Sequence, residues 1–390
     1  MRILHTVEFY HPSKGGAQEV VRQVSEQLVK RGHQVCVATT RLEKRGSRYI
    51  NGVQIEEFRI SGNVTYGLQG ELERYQKFLV EGQFDVMMNY AAQEWTADLV
   101  FPLLERLPFV KVLVPCGFSG LYHPAYQRYY EEMPKVMQKY DALVFHASQY
   151  RDIEFAREHV MRHMQIIPNG ASREEFETSQ PSFRKRYHVP EQTPLLLSVG
   201  SHTGYKGHDV VLKAFHQARI SSATLALIGN TPDRGGCWME CKIRSTGINL
   251  SGLGRKRVIL LDPPRSELVA AYQAADLFVF ASNIEYSPLV LFEAMASHTP
   301  FLSNACGNAA EIAGWSKGGI IVETEPWTFG RVKTKPEILA RAIKDLLKKP
   351  DLRQQMANAG YAAWQERFTW EKIAREYEEL YTSLLEKRVK

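Results

Sequence analysis

The chain has 390 residues, 44% hydrophobic and 24% charged, which are the proportions of an ordinary globular protein with room for two domains. Glycine and proline, 27 and 18 residues, are near background, which excludes collagen-like, low-complexity and disordered classes. Lys+Arg 49 against Asp+Glu 43 leaves a formal charge of +6, which suits an anionic ligand or weak attraction to acidic lipid, and with no basic tail or stripe nothing points to nucleic acid.

Taken in chain order, residues 2–7 read as a strand, 8–16 as a loop carrying Pro12, Gly15 and Gly16, and 17–31 as a helix stopped by Gly32. A second strand at 34–39 completes a βαβ unit. Apolar strand candidates follow at 86–89, 109–115, 142–146 and 165–167 with helical patterns between them, which predicts a parallel sheet covered by helices. Residues 120–140 are dense in tyrosine and fit a surface helix packed on its domain, an acceptor groove or contact with a lipid headgroup layer. Residues 183–194 are polar, carry Pro190 and Pro194, and read as an interdomain linker. The alternation then restarts, with strands at 195–199, 224–228, 257–261, 277–281 and 301–303 and helices at 207–219, 267–274 and 288–297. Residues 368–385 form a long amphipathic helix with no strand after it, able to pack back across the domain junction.

The first residues hold one short apolar run broken by His5 and Glu8, with no small-residue cleavage site, so a signal peptide is not expected. No stretch approaches the roughly 20 apolar residues of a spanning helix. The expectation is a soluble, cytoplasmic protein, at most peripheral to a membrane. Five scattered cysteines, Cys36, Cys116, Cys237, Cys241 and Cys306, speak against a disulfide framework and for a reducing compartment. Cys237 and Cys241 are spaced like one helical turn, but no second Cys or His pair lies close enough in sequence to complete a zinc pattern. They read as ordinary thiols, and no metal or other cofactor is expected.

The common signatures G-x-G-x-x-G, G-x4-G-K-[ST] and H-E-x-x-H are all missing from the sequence. So is any Asp-x-Asp pair, which leaves a metal-held diphosphate without support. The informative segment is 275–307, ADLFVFASNIEYSPLVLFEAMASHTPFLSNACG. A buried strand ends near Ala281, a loop presents Glu285, and a helix starting near Ser287 or Pro288 carries Glu293. Free amides near Ser287, Leu289 and Val290 at that start suit an anion, and loops at the carboxyl ends of strands hold ligands in doubly wound sheets. Spacing alone leaves two readings equal: a ligand site, or a solvated loop charge and a helix-start charge.

Glu-x7-Glu inside A-D-L-F-V-F…E-x-x-P-L-V-L-F-E-A-M-A-x-x-x-P resembles the donor-site signature of the retaining glycosyltransferases of family 4. GGAQEVVRQVSEQLVKRGHQV near the N-terminus, IPNGAS…EEF at 167–176, SVGSHTGYKGHDVVLKAF at 198–215 and FTWEKIAREYEELY near the C-terminus agree, in the family's order. The resemblance implies an α/β fold of the GT-B type: two Rossmann-like doubly wound domains facing a cleft, with the C-terminal helix crossing back to the first domain. The boundaries it suggests are an acceptor-side domain of 1–186 plus 369–390 and a nucleotide-sugar domain of 187–368.

The resemblance further implies metal-independent transfer, with retention, from a UDP- or GDP-linked sugar to a hydroxyl of a glycan or glycolipid. On the family's usual account the acceptor attacks the face the diphosphate leaves and a phosphate oxygen takes its proton, so no protein base is needed. Carried over by residue, Glu285 would hold donor-sugar hydroxyls, Glu293 the ribose hydroxyls, and Lys206 the departing diphosphate. Gly15 and Gly16 would let backbone approach phosphate or acceptor. Two positions depart from the family. Ser201, followed by His202, stands where an arginine is usual, and Cys116 where a histidine is; His123 could stand in for the latter or be an ordinary loop residue. A phosphorylase or epimerase of the same fold, and a non-catalytic nucleotide- or glycan-binding relative, are the rival readings.

Overall fold

The computed structural model describes residues 1–230 and 236–389. The chain divides into two compact units, Met1–Asn169 with Trp370–Lys390, and Gly170–Thr369. The first contains β1 (Arg2–Thr6), β2 (Gln34–Thr40), β3 (Tyr49–Ile50), β4 (Val53–Phe58), β5 (Ile60–Asn63), β6 (Gly67–Gly70), β7 (Val86–Tyr90), β8 (Val110–Val114), β9 (Ala142–Phe145) and β10 (Met164–Ile166). Its main sheet runs β10-β9-β8-β7-β1-β2-β4-β3, parallel except where β3 meets β4, and β5 and β6 form a separate hairpin. β7, β8 and β9 are buried along their whole length, as apolar strands covered on both faces must be.

The second unit contains β11 (Leu195–Val199), β12 (Ala223–Ile228), β13 (Lys256–Leu261), β14 (Leu277–Phe280), β15 (Phe301–Asn304), β16 (Gly319–Val322), and a hairpin of β17 (Glu325–Trp327) and β18 (Arg331–Lys333). The six-stranded sheet is ordered β13-β12-β11-β14-β15-β16, all parallel. In this order the chain winds outward one way from β11 and then the other way from β14. In the first unit the same reversal lies between β1 and β7. A doubly wound sheet opens a crevice at that switch, outside the carboxyl ends of the two strands.

The C-terminal helix Trp370–Val389 is part of the first unit, as the resemblance implied. Tyr381 Oη lies 3.2 Å from His5 Nε2 on β1, and burial lowers the His5 pKa to about 3, so the pair meets as neutral groups. His33 Nε2 reaches Glu378 Oε1 at 2.7 Å on the outer side of the same helix.

Residues 183–194 are not a linker. Phe183–Arg186 is a helix, and Phe183 and Val189 lie in the core of the second unit. Arg184 donates to Asp276 at 2.7 Å and to the carbonyls of Pro190 and Thr193, both at 3.0 Å. Polar composition disguised a buried anchor, and the division between the units falls at Gly170 instead of 187. The tyrosine-rich stretch is the helix Gln127–Met137, with Tyr130, Met133 and Met137 buried against the first unit. No helix among the described residues is long and apolar enough to cross a membrane.

Candidate functional site

At the switch of the second unit, the loop after β11 carries Lys206 and the loop after β14 carries Glu285. Their side chains meet, with Lys206 Nζ 2.6 Å from Glu285 Oε1. The close approach of the loops depends on Gly207, at φ +69°, where an added Cβ would sit 1.8 Å from the Ala281 carbonyl oxygen. Asn283 N and Ser282 Oγ then both donate to the Tyr205 carbonyl, at 2.8 and 3.1 Å. On the other side Asn308 N donates to the Tyr286 carbonyl at 2.9 Å. Three helices begin around this knot: His208–Gln217, Leu289–Ala296 with Pro288 as its cap, and Ala309–Ser316. Their first amides add partial positive charge to that of Lys206. Ser287 and Pro288 are buried, while Leu289 and Val290 are partly exposed at the helix start, where the sequence put them.

Glu293 is buried and is not joined to the Lys206–Glu285 pair. Its Oε1 lies 2.6 Å from Arg265 Nη2, whose guanidinium also donates to Glu175 Oε2 at 2.7 and 3.0 Å. Sequence reasoning missed Arg265. One signal was available: it opens the helix Arg265–Ala274, where the dipole disfavours a cation unless acidic partners hold it. Arg331 was missed as well. Its guanidinium stacks 4.4 Å from the Tyr205 ring centre, beside the lysine loop, and Val332 is hydrogen-bonded to Asn283 in both directions. Ser201 is partly exposed, and its carbonyl accepts from Thr203 N at 2.8 Å. His202, the next residue, is buried with Nδ1 3.3 Å from His208 Nδ1.

The switch of the first unit is chemically different. Gly15 is extended and caps the helix Gly16–Lys30 without a side-chain bond. Cys116 follows β8, and burial beside Glu94 and Asp152 pushes its thiol up to about 12, so it is protonated at neutral pH. His123 is exposed and accepts from Ala125 N at 3.2 Å, capping the short turn Pro124–Tyr126. Glu8 after β1 and Glu94 after β7, not singled out in the sequence, come together, with Glu8 N donating to Glu94 Oε2 at 3.1 Å. Burial, and then the Glu8 charge, raise Glu94 to about 8. Burial also raises Asp98 to about 6, although it accepts from Val64 N and Tyr129 Oη, both at 2.9 Å. No spacing in the sequence marks this trio.

Residues 179–363 match the family model described as glycosyl transferases, group 1. The D-inositol 3-phosphate glycosyltransferase of Corynebacterium urealyticum is 27% identical over 266 residues, 64% of this chain and 58% of that protein. The chain spans about half the length of several curated relatives of that name. The N-acetyl-alpha-D-glucosaminyl L-malate synthase of Bacillus anthracis is 24% identical over 96% of both chains. Among solved structures, sucrose-phosphate synthase from Thermosynechococcus elongatus superposes with a TM-score of 0.79 at 20% identity, over 99% of each chain. The fold is GT-B.

Proposed function

On the premise that the second unit carries a group 1 glycosyltransferase domain, we propose that the protein is a retaining glycosyltransferase. It moves a sugar from a UDP- or GDP-linked donor to a hydroxyl of a glycan or glycolipid, without a divalent metal at the diphosphate. The observation that carries this reading is the Lys206–Glu285 pair, 2.6 Å apart at a strand switch ringed by helix starts. The diphosphate takes Lys206 and the helix-start amides as its counter-charges, and Glu285, released from the lysine, accepts from sugar hydroxyls. Glu293, held from behind by Arg265, accepts from the ribose. Catalysis then consists of positioning and of stabilising leaving-group charge. On the first unit Glu8, Glu94 and Cys116 offer an acceptor polar groups that burial shifts toward the protonated form.

The test is turnover by the full chain with UDP-, GDP- and ADP-linked sugars in the absence of Mg(II) and Mn(II). Slow release of nucleoside diphosphate without acceptor, and an unchanged anomeric configuration in the product, support the reading. Tight nucleotide binding with no turnover on any donor and acceptor supports the non-catalytic relative instead. Turnover only with added Mg(II) or Mn(II) refutes the metal-independent scheme.

A further inference from the structure

A second cluster lies beside the lysine loop and takes no part in the Lys206–Glu285 pair. His202, His208, Cys237 and Cys241 each place one ligand atom within 4.8 Å of all the others. The fold assembles them from two places. His202 lies in the loop after β11 and His208 opens the next helix; Cys237 caps the helix Trp238–Ser251, and Cys241 is one turn inside it. Residues one turn apart share a helix face, so the two thiols point the same way. Cys237 N also donates to the His202 carbonyl at 3.0 Å, which joins the two segments through backbone.

The distances distinguish a metal site from a packed core. His202 Nδ1 and His208 Nδ1 are 3.3 Å apart, and Cys237 Sγ is 3.6 Å from the first and 3.7 Å from the second. A ring nitrogen either donates or accepts, so hydrogen bonds account for at most two sides of that triangle. Tetrahedral zinc, with bonds of about 2.0–2.1 Å to nitrogen and about 2.3 Å to sulfur, sets ligand-to-ligand edges of about 3.3 Å (N to N) and about 3.6 Å (N to S). All three measured sides fall there. His202, His208 and Cys241 are buried, which suits a closed structural site and not one that keeps a position for substrate.

We propose that His202, His208, Cys237 and Cys241 form a structural zinc site that ties the lysine-bearing loop to the helix Trp238–Ser251. Binding is balanced as Zn(II) plus two thiols giving a zinc dithiolate and two released protons, with both imidazoles neutral. The soft ligand set selects zinc over the hard cations that hold phosphates. The site is separate from the transfer chemistry, and its test does not depend on activity. It escaped the sequence reading because a whole strand and helix separate the His pair from the Cys pair, so no finger-like spacing exists.

The full-length protein, purified under reducing conditions, should contain about one zinc per chain by elemental analysis. After chelation, Co(II) should bind with a stoichiometry of one and give the intense visible absorption of a tetrahedral thiolate site, lost on adding Zn(II). Zinc should raise the melting temperature of the chelated protein, because a ligand of the folded form stabilises it. Cys241→Ser should abolish stoichiometric Co(II) uptake while Cys36→Ser, in β2, retains it; if Cys241→Ser does not fold, the wild-type Co(II) titration decides alone. Reduced, folded wild-type protein that takes up neither metal at one equivalent overturns the proposal. So does a Cys237–Cys241 disulfide in the intact mass whose reduction restores no metal binding.

Discussion

The two units share a six-strand core order, β4-β2-β1-β7-β8-β9 and β13-β12-β11-β14-β15-β16, and put their switch points at equivalent places, between β1 and β7 in one and between β11 and β14 in the other. The chemistry gathered there is opposite. In the second unit carboxylates meet cations: Glu285 pairs with Lys206, and Glu293 shares Arg265 with Glu175. On the proposed reading, a diphosphate that takes Lys206 leaves the Glu285 carboxylate to accept from sugar hydroxyls. In the first unit Glu8, Glu94 and Asp98 crowd one another, and burial with mutual repulsion holds them toward the neutral form.

The sharpest way to break this contrast is to remove the cation. Lys206→Ala leaves developing charge on the diphosphate without its fixed counter-charge. Losing one such preorganised group lowers turnover about 10²–10³-fold, roughly 2.7–4 kcal/mol. Near-full activity on the true donor and acceptor would return Lys206 to the status of a solvated loop lysine. The complementary change is Ser201→Arg, which should raise donor affinity or turnover if the site lacks a cation, and lower both if His202 or a repositioned donor already fills the space.

Next in size are the two glutamates. Glu293→Ala removes a buried charged acceptor from the proposed ribose site and should cost about 1.5–3 kcal/mol of nucleotide affinity. Arg265 keeps Glu175 as its partner, so the fold should survive. Glu285→Ala should depress turnover more than nucleotide binding. Calorimetric titration of both variants with UDP and GDP checks the assignment, and the opposite pattern would reverse it. Gly207→Ala tests the scaffold itself. The left-handed backbone at φ +69° costs a residue with a Cβ about 1–3 kcal/mol, before its 1.8 Å collision with the Ala281 carbonyl. A melting temperature equal to wild type would mean that the loop approach does not depend on this glycine.

Much of this was legible in the sequence because fully buried parallel strands are continuous apolar runs. Hence β1, β7, β8, β11 and β14 were found nearly to the residue. β3 through β6 and the β17–β18 hairpin were not, since edge and hairpin strands such as Val53–Phe58, VQIEEF, alternate and carry charge. The helix Trp238–Ser251 went unread because its apolar residues do not fall on one face. In the second unit Lys206 and Glu285 could be placed because each lies a few residues past a readable strand end, and Glu293 because it lies on the helix that follows. Arg265, Arg331 and Glu94 were not, because what joins each to its neighbours is a sheet crossing or a loop contact, and no local spacing records it. The grouping of His202 and His208 with Cys237 and Cys241 was not legible for the same reason, since the two thiols arrive with the next βα unit.

The acidic side is tested by pH. Glu94 has a folded pKa near 8 against an unfolded value near 4.5, so between those values the folded chain binds a proton that the unfolded chain releases. Stability from this group is therefore complete below about pH 4.5 and falls as pH rises, levelling off above about 8. Glu94→Gln keeps an oxygen for Glu8 N and cannot ionise. Urea midpoints of the variant and wild type should coincide near the low end of that window and separate with rising pH, the variant becoming the more stable. Asp98 titrates in the same direction in both proteins, so the gap between them isolates Glu94 and its coupling to Glu8. A gap that stays constant with pH, or that grows as pH falls, would mean that Glu94 is ionised in the fold. The first unit would then carry a charged switch point like that of the second.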